Sequence, residues 1–493
     1  MGTIPFFDEN GQPLTMNAPV FWLMVASIPP LLLAWRQSRR GSIRPAVLLL
    51  LLGGLLLRLG PALDPCLHMW DERYHALVAK NMMAHPLEPT LYENPVLPED
   101  PFNWTESRIW LHKPPFALWC MAASMRLFGT NEFVLRLPSL IVSTLGILLC
   151  FAFARELYGR RVGFVAAFLY TIQGAVIEFG SGRCATDHVD TMFSFLIGGS
   201  IVLYQISLRR CKWAAILISG ALLGLALLTK WLPALIVLPV AAALSLAHGK
   251  WAWRSTLKDL SILTAVAALV AAPWTLYAGS RFPAIAHHEH LMNIAHFTTG
   301  LDGQVGGPLY YFDRLRMVYG ELVYLPCLWF LYRSSRSLKH LRRWAILIWW
   351  LVPYVFFSFA ATKMVGYILP TTIPVLTISA LFWVVLERHV RSGARSKWAG
   401  ILILIVLIAL PVRYCIERMK PFQDLASRRA LRQHIIDTVG PDPMHAVVFD
   451  CKYQYEAMFY TGCVAYERSA DNATKRSLSE RGFRVISFSP GTE

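Results

Sequence analysis

Residues 45–63 read PAVLLLLLGGLLLRLGPAL, 19 positions holding one charge, Arg58, and comparable apolar runs recur along the chain. A helix needs roughly 20 apolar residues to cross a hydrocarbon core of about 30 Å. A chain that repeats such runs can bury them only in a bilayer. The spans expected on this basis are 19–35, 45–63, 132–154, 162–179, 191–208, 213–228, 234–247, 259–277, 319–332, 344–361, 368–386 and 398–414. That makes about 12 helices, within a range of ten to thirteen. Arg58 and Arg136 fall inside candidate spans, which implies shifted ends or side chains that snorkel to the interface. Composition agrees: 55% of the 493 residues are hydrophobic and 16% charged. Disordered chains, disulfide-stapled mini-proteins and ordinary cytosolic enzymes all need more polar surface or more cysteine.

The net charge of +16 would suggest nucleic acid in a soluble protein, but its distribution argues otherwise. The loops 36–44, 155–161, 209–212, 248–258, 333–343 and 387–397 carry 22 basic residues in 53 positions. The opposite set, 1–18, 64–130, 180–190, 229–233, 278–318 and 362–367, carries 11 in 148. The first set is therefore expected in the cytoplasm. Both long loops and the C-terminal tail then face outward, the basic loops meet anionic lipid, and nucleic acid is not expected as a partner. The N-terminal segment, opening acidic with Asp8 and Glu9, is not expected to be a cleavable signal.

The domains expected are a bundle over 1–414, with outer loops 64–130 and 278–318, and a small extracytoplasmic α/β domain over 415–493. In that tail the apolar runs AVVFD (446–450), AMFYTG (457–462) and FRVISFS (483–489) suggest two or three strands. The nine cysteines show no metal-ligand spacing, and Cys451 and Cys463 either form a bridge or remain free thiols. The sequence contains no P-loop and no dinucleotide fingerprint, so no nucleotide cofactor is expected.

Chemistry concentrates in loop 64–130. It opens with HMWDERYHALVAKNMM, where Leu77, Val78, Asn81 and Met82 follow helical spacing and set Asp71 and Glu72 at a helix N-terminus. Two carboxylates there either offset the helix dipole or, at the mouth of a bundle, accept a proton from an acceptor hydroxyl. The loop ends in IWLHKPPFALW, whose Pro114 and Pro115 stiffen the position of His112 and Lys113. Lys113 either offers a point charge to phosphate or snorkels at the interface, and His112 is a metal-ligand or proton-carrier candidate.

The chain resembles the GT-C membrane glycosyltransferases of the protein O-mannosyltransferase and aminoarabinose lipid A transferase superfamily. The resemblance spans roughly residues 45–390 and rests on WDERYHALVAKNM, on HKPP followed by RLFGTNEFVLRLPSL, and on LLTKWLPALIVLP, GGPLYYF and SFAATKMVGYILPTTIPVL, in that order. It implies a mainly α polytopic bundle in the bacterial inner membrane with its active site and C-terminus in the periplasm. It also implies transfer of a sugar, with inversion, from a polyprenyl-phosphate donor to a lipid, glycan or protein acceptor. Asp71 matches the family's essential acid, with Glu72 supporting it. Lys113 matches the lysine that lies against the donor phosphate, and Tyr367 the tyrosine lining the same cavity. His112 and Gly366 depart from the Glu and His that the aminoarabinose transferases tend to have there, a metal-ligand pair, which leaves a divalent ion open, with His112 still able to coordinate one. His75, where a tyrosine is frequent, points to a different sugar or acceptor pocket.

The second outer segment, EFGSGRCATDHVD, adds Arg183, Asp187, His188 and Asp190. Arg183 either forks onto a phosphate or pairs internally with Asp187 or Asp190. Asp187, Asp190, His75 and Lys363 are expected along the cavity and its lid. In loop 278–318, His287, His288, Glu289, His290 and His296 lack H-E-x-x-H order, so the loop reads as a lid more than a metal site. Two other classes compete: a lipid-linked sugar transporter or flippase, and a non-catalytic envelope assembly protein.

Overall fold

The computed structural model describes residues 16–184, 188–209, 212–249, 252–336, 340–393, 396–423 and 425–488. Asp187, expected in the cavity, lies outside them, as do Asp8 and Glu9. The chain divides into two compact units. One combines 63–138 with the C-terminal segment from Phe422, and the other comprises Ala18–Ala62 and Ser139–Pro421.

The second unit is a helical bundle. Among the described residues eight helices are long and apolar enough to cross a membrane: Ala18–Arg39, Ile43–Ala62, Glu132–Tyr158, His188–Ser207, Lys212–Lys230, Trp253–Arg281, Val365–Arg391 and Lys397–Met419. The pair Arg160–Thr171 and Gly174–Gly180, bent by 53°, makes nine if it counts as one span. The other three expected spans are helical but differ from the expectation. Val237–His248 and Tyr324–Ser335 are short, and Leu341–Phe359 starts with Arg342 and Arg343.

Arg58 does not snorkel. It is 2% exposed and donates from Nε to Ser143 Oγ at 2.8 Å. Its other nitrogens donate to the carbonyls of Gly54 at 3.0 Å, Thr171 at 3.2 Å and Tyr170 at 3.2 Å. The last two are carbonyls at the end of Arg160–Thr171, where the bend interrupts the helical ladder; Tyr170 O keeps one N–H, from Gln173 at 3.3 Å, and the buried guanidinium adds a donor to each.

The first unit joins the long loop to the tail. Its sheet is three parallel strands in the order β2-β1-β3, with β1 Ala446–Phe449, β2 Val464–Ala465 and β3 Arg484–Ser487. Val447 lies opposite Val464 on one side and Val485 on the other. All of β1 is buried, as its unbroken apolar run requires of a central parallel strand. The expected run 457–462 is not a strand: it belongs to the helix Gln454–Thr461, which Gly462 ends at φ 83° in the left-handed region. Lys80 donates to the carbonyls of Met458 at 2.9 Å and Phe459 at 2.7 Å, tying the loop to that helix end. The tail therefore folds with 63–138 instead of forming a domain that starts at 415, because its helix faces need the loop's side chains to cover them. Cys451 and Cys463 are both buried free thiols.

Candidate active site

The helix expected to open loop 64–130 runs Asp71–Met82, with Tyr74, His75, Leu77, Val78, Asn81 and Met82 all buried. Its N-terminus is formed at Trp70, whose φ of 80° is left-handed. For a bulky side chain that conformation costs about 1–3 kcal/mol and persists only where surrounding structure enforces it. Asp71 is thus presented at the first helical position, where the N–H groups and the helix dipole favour a carboxylate.

Asp71 faces Lys113, Oδ2 to Nζ 4.0 Å, both largely shielded from solvent. Lys113 is held from the other side of the loop, where Pro114 and Pro115 precede the helix Phe116–Phe128. The loop between is pinned by Asn81, whose amide donates to the carbonyls of Thr90 at 2.9 Å and Leu91 at 3.2 Å. Trp110 Nε1 donates to the Trp104 carbonyl at 2.9 Å.

Glu72 is committed elsewhere. Arg136 Nε reaches Oε1 at 2.7 Å and Nη2 reaches Oε2 at 3.0 Å, a fork on a carboxylate with no exposed surface. The same guanidinium donates to the carbonyls of Asp64 at 2.6 Å and Cys66 at 2.7 Å. His68 Nδ1 lies 2.7 Å from Oε2 of Glu72, and its Nε2 lies 3.0 Å from Asp64 Oδ2. Glu72 therefore anchors the chain entering the helix. Arg136, for which the sequence allowed a shifted span end or a snorkelling side chain, is instead the buried partner of Glu72.

His112 stacks on Trp104, with ring centroids 4.7 Å apart and planes 13° apart, and meets Trp110 edge-on at 5.6 Å. Among the described residues no group of three or more His, Cys, Asp or Glu side chains converges as a metal site. The stack fixes the plane of the His112 ring. His75 is buried with its ring edge-on to Trp110 at 5.7 Å, a packing position.

The remaining expected residues lie in the helical unit. Arg183 Nη1 donates to the carbonyls of Arg418 at 3.0 Å and Met419 at 2.7 Å, capping Lys397–Met419. Asp190 pairs with Lys230. Lys230 Nζ also sits 4.9 Å from the Tyr367 ring centroid, so Asp190, Lys230 and Tyr367 form one cluster. His188 Nδ1 lies 2.8 Å from Ser139 Oγ.

Lys363 caps a helix as well, donating to the carbonyls of Ser358 at 2.9 Å and Ala360 at 2.6 Å at the end of Leu341–Phe359. Its backbone N–H reaches Gln304 O at 2.8 Å, fastening loop 278–318. In that loop His287, His288, Glu289 and His290 lie on the helix Pro283–Thr298, with Glu289 buried and the His290 ring 6.1 Å from Trp231.

Sequence reasoning missed Lys230 and the role of Arg136. Lys230 closes an apolar span in LLTKWLP, and a lysine ending such a run reads as an interface anchor until its partner is seen. Trp231, which follows it, repeats the left-handed backbone of Trp70 with φ 64°, a feature that carries no sequence signal.

Residues 112–277 match the family described as dolichyl-phosphate-mannose-protein mannosyltransferase. An undecaprenyl phosphate-alpha-4-amino-4-deoxy-L-arabinose arabinosyl transferase of Pseudomonas aeruginosa strain UCBPP-PA14 is 27% identical over 336 residues, which are 64% of this chain and 58% of the relative. One from Pseudomonas fluorescens Pf0-1 is 29% identical over 289 residues, 55% of this chain and 50% of the relative. The chain thus spans little more than half the length of these relatives. The fold is similar to that of ArnT from Cupriavidus metallidurans bound to undecaprenyl phosphate, with TM-score 0.61, 19% identity and 89% of each chain covered. It is also similar to the archaeal oligosaccharyltransferase AglB from Archaeoglobus fulgidus, with TM-score 0.55, 14% identity, and 90% of this chain and 69% of that one covered. Family match, relatives and shared fold agree in likening the chain to the GT-C membrane glycosyltransferases of the protein O-mannosyltransferases and the aminoarabinose transferases.

Proposed function

We propose that this protein moves a sugar from a polyprenyl-phosphate donor to a nucleophile on a lipid, glycan or protein acceptor, at the periplasmic face of a bacterial inner membrane. The observation that carries this reading is the Asp71–Lys113 pair, a carboxylate and an ammonium held 4.0 Å apart at a helix N-terminus. The relatives named for undecaprenyl phosphate-linked aminoarabinose support a donor of that chemistry. The basic bias of the opposite loops supports the periplasmic side.

In this reaction the donor phosphate takes Lys113 as its counterion and so releases Asp71. Asp71 orients the acceptor nucleophile and receives its proton. The nucleophile bonds to the anomeric carbon from the face opposite the phosphate, the bond from that carbon to the phosphate oxygen breaks, and the electron pair leaves with polyprenyl phosphate. Lys113 meets the charge developing there. Glu72, Arg136 and His68 act as positioning residues, holding the chain that presents Asp71.

The test is transfer of labelled sugar from polyprenyl-phosphate donors to an envelope fraction, with and without chelator, comparing wild type and Asp71→Asn. Transfer by wild type that falls about 10²–10⁴-fold in Asp71→Asn, with fold and donor binding retained, supports the proposal. Equal transfer by both proteins, or donor binding without any transfer, would overturn it.

A further inference from the structure

Three helix ends in the helical unit bring arginines onto one carboxylate. Glu387, near the C-terminus of Thr372–Arg391, is 8% exposed. Arg161, at the start of Arg160–Thr171, reaches it from Nε at 3.3 Å and from Nη2 at 3.2 Å, and its Nη1 donates to Ser38 Oγ at 2.9 Å. Arg39, the last residue of Ala18–Arg39, reaches Glu387 Oε1 from Nη2 at 3.0 Å, and Arg391 does so from Nη2 at 2.9 Å. Trp35 backs the cluster, its ring centroid 5.0 Å from the Arg161 guanidinium and 5.9 Å from that of Arg39.

Three guanidiniums against one carboxylate leave two positive charges in excess. Glu387 does not require them all, since Arg161 alone reaches both of its oxygens. Arg39 and Arg391 each commit one terminal nitrogen to Glu387, and with side chains 46% and 60% exposed they keep the rest of the fork accessible. Like charges gathered at the edge of a low-dielectric bundle repel one another unless an anion joins them. An apolar track leads up to these cations. Val25, Ile28 and Leu32 are 36%, 50% and 66% exposed and recur at helical spacing, and Arg39 continues the same face about two turns on.

The three arginines belong to the segments 36–44, 155–161 and 387–397, from the basic set expected in the cytoplasm. We propose that this cluster is a binding site for an anionic phospholipid of the cytoplasmic leaflet, its headgroup phosphodiester held by Arg39 and Arg391 and an acyl chain lying along Val25, Ile28 and Leu32. A guanidinium fork matches two phosphate oxygens, whereas a zwitterionic headgroup brings an ammonium that the excess charge repels. Cardiolipin, with its two phosphodiesters, offsets that excess in full, and phosphatidylglycerol offsets half of it. The apolar track selects a lipid over free phosphate, because an inorganic ion gains nothing from burying it. None of these residues belongs to the unit that carries Asp71, and the proposal does not depend on the transferase reading.

Native mass spectrometry of the full chain, delipidated in detergent, tests the site with cardiolipin, phosphatidylglycerol and phosphatidylcholine as probes. Wild type should bind cardiolipin most tightly, phosphatidylglycerol next, and phosphatidylcholine at least about tenfold more weakly than cardiolipin. Arg39→Gln with Arg391→Gln should weaken cardiolipin about 10- to 100-fold, as expected for one or two lost charge-assisted contacts, while Arg161 stays on Glu387. Arg254→Gln with Lys258→Gln removes the same charge from two exposed side chains of loop 248–258 and should leave cardiolipin binding unchanged. Unfolding midpoints measured without lipid should agree among the three proteins and show that the variants are folded. If the double variant does not fold, Arg391→Gln alone, at the most exposed of the three arginines, should show a loss of about tenfold. An equal loss in the loop 248–258 variant would reduce the effect to diffuse surface charge and overturn the site. Equal binding of phosphatidylcholine would overturn it too, as would displacement of cardiolipin by inorganic phosphate at an ionic strength where chloride has no effect.

Discussion

Glu72 and Arg136 form a two-bonded ion pair, 2.7 Å and 3.0 Å, in which neither side chain retains exposed surface. Removing one member of a buried pair strands the other charge and costs about 3–5 kcal/mol. Arg136→Met should therefore lower the thermal midpoint sharply, and Glu72→Leu added to it should recover much of the loss. Calorimetry or fluorescence-detected unfolding of the three proteins checks this. A midpoint for Arg136→Met equal to wild type would show that the pair does not hold the entry to the Asp71 helix.

Lys113 is the only cation paired with Asp71 among the described residues. If it serves the donor phosphate, Lys113→Met should weaken undecaprenyl phosphate binding by roughly tenfold or more, the worth of one charge-assisted contact. Wild-type affinity should also fall with salt, and the variant's should fall less. Unchanged donor affinity would return Lys113 to a purely structural ion pair.

Glu456 predicts a pH dependence. Burial raises its carboxyl above the ordinary range, with Arg73, 3.7 Å away, opposing the shift. The folded state then holds the proton more tightly than the unfolded chain does. This group imposes no penalty below the unfolded pKa of about 4.3 and an increasing one as pH rises through the raised folded value. Glu456→Gln should thus raise the thermal midpoint at pH 7 and have little effect near pH 4. A substitution that lowers the midpoint at pH 7 would mean that pairing with Arg73 outweighs desolvation.

Arg58 supplies the donors at the 53° bend between Arg160–Thr171 and Gly174–Gly180. Arg58→Leu removes a donor from Thr171 O, Tyr170 O and Ser143 Oγ; Tyr170 O keeps the Gln173 N–H, and each buried group left unsatisfied costs about 1–3 kcal/mol. The expected result is a lower unfolding temperature in detergent, partly restored in Arg58→Lys. Wild-type stability of Arg58→Leu would imply that water takes over these groups.

The membrane class, the helical segments and the helix beginning at Asp71 were legible because each depends on local facts: apolar run length, 3.6-residue spacing, and proline or carboxylates at an end. The KPP lysine was legible for the same reason, its position being set by adjacent prolines. Pairing was not. That Glu72 anchors the chain depends on Arg136, 64 residues away, and that Arg183 caps a helix depends on carbonyls at 418 and 419. The apolar run 457–462 folds as a helix because burial against the loop, not β-propensity, set its conformation. Sequence determines how much apolar surface must be buried and where charges enter the chain. Only tertiary structure decides which charges meet, since a buried ion pair forms wherever packing brings donors and acceptors within reach, whatever their separation along the chain.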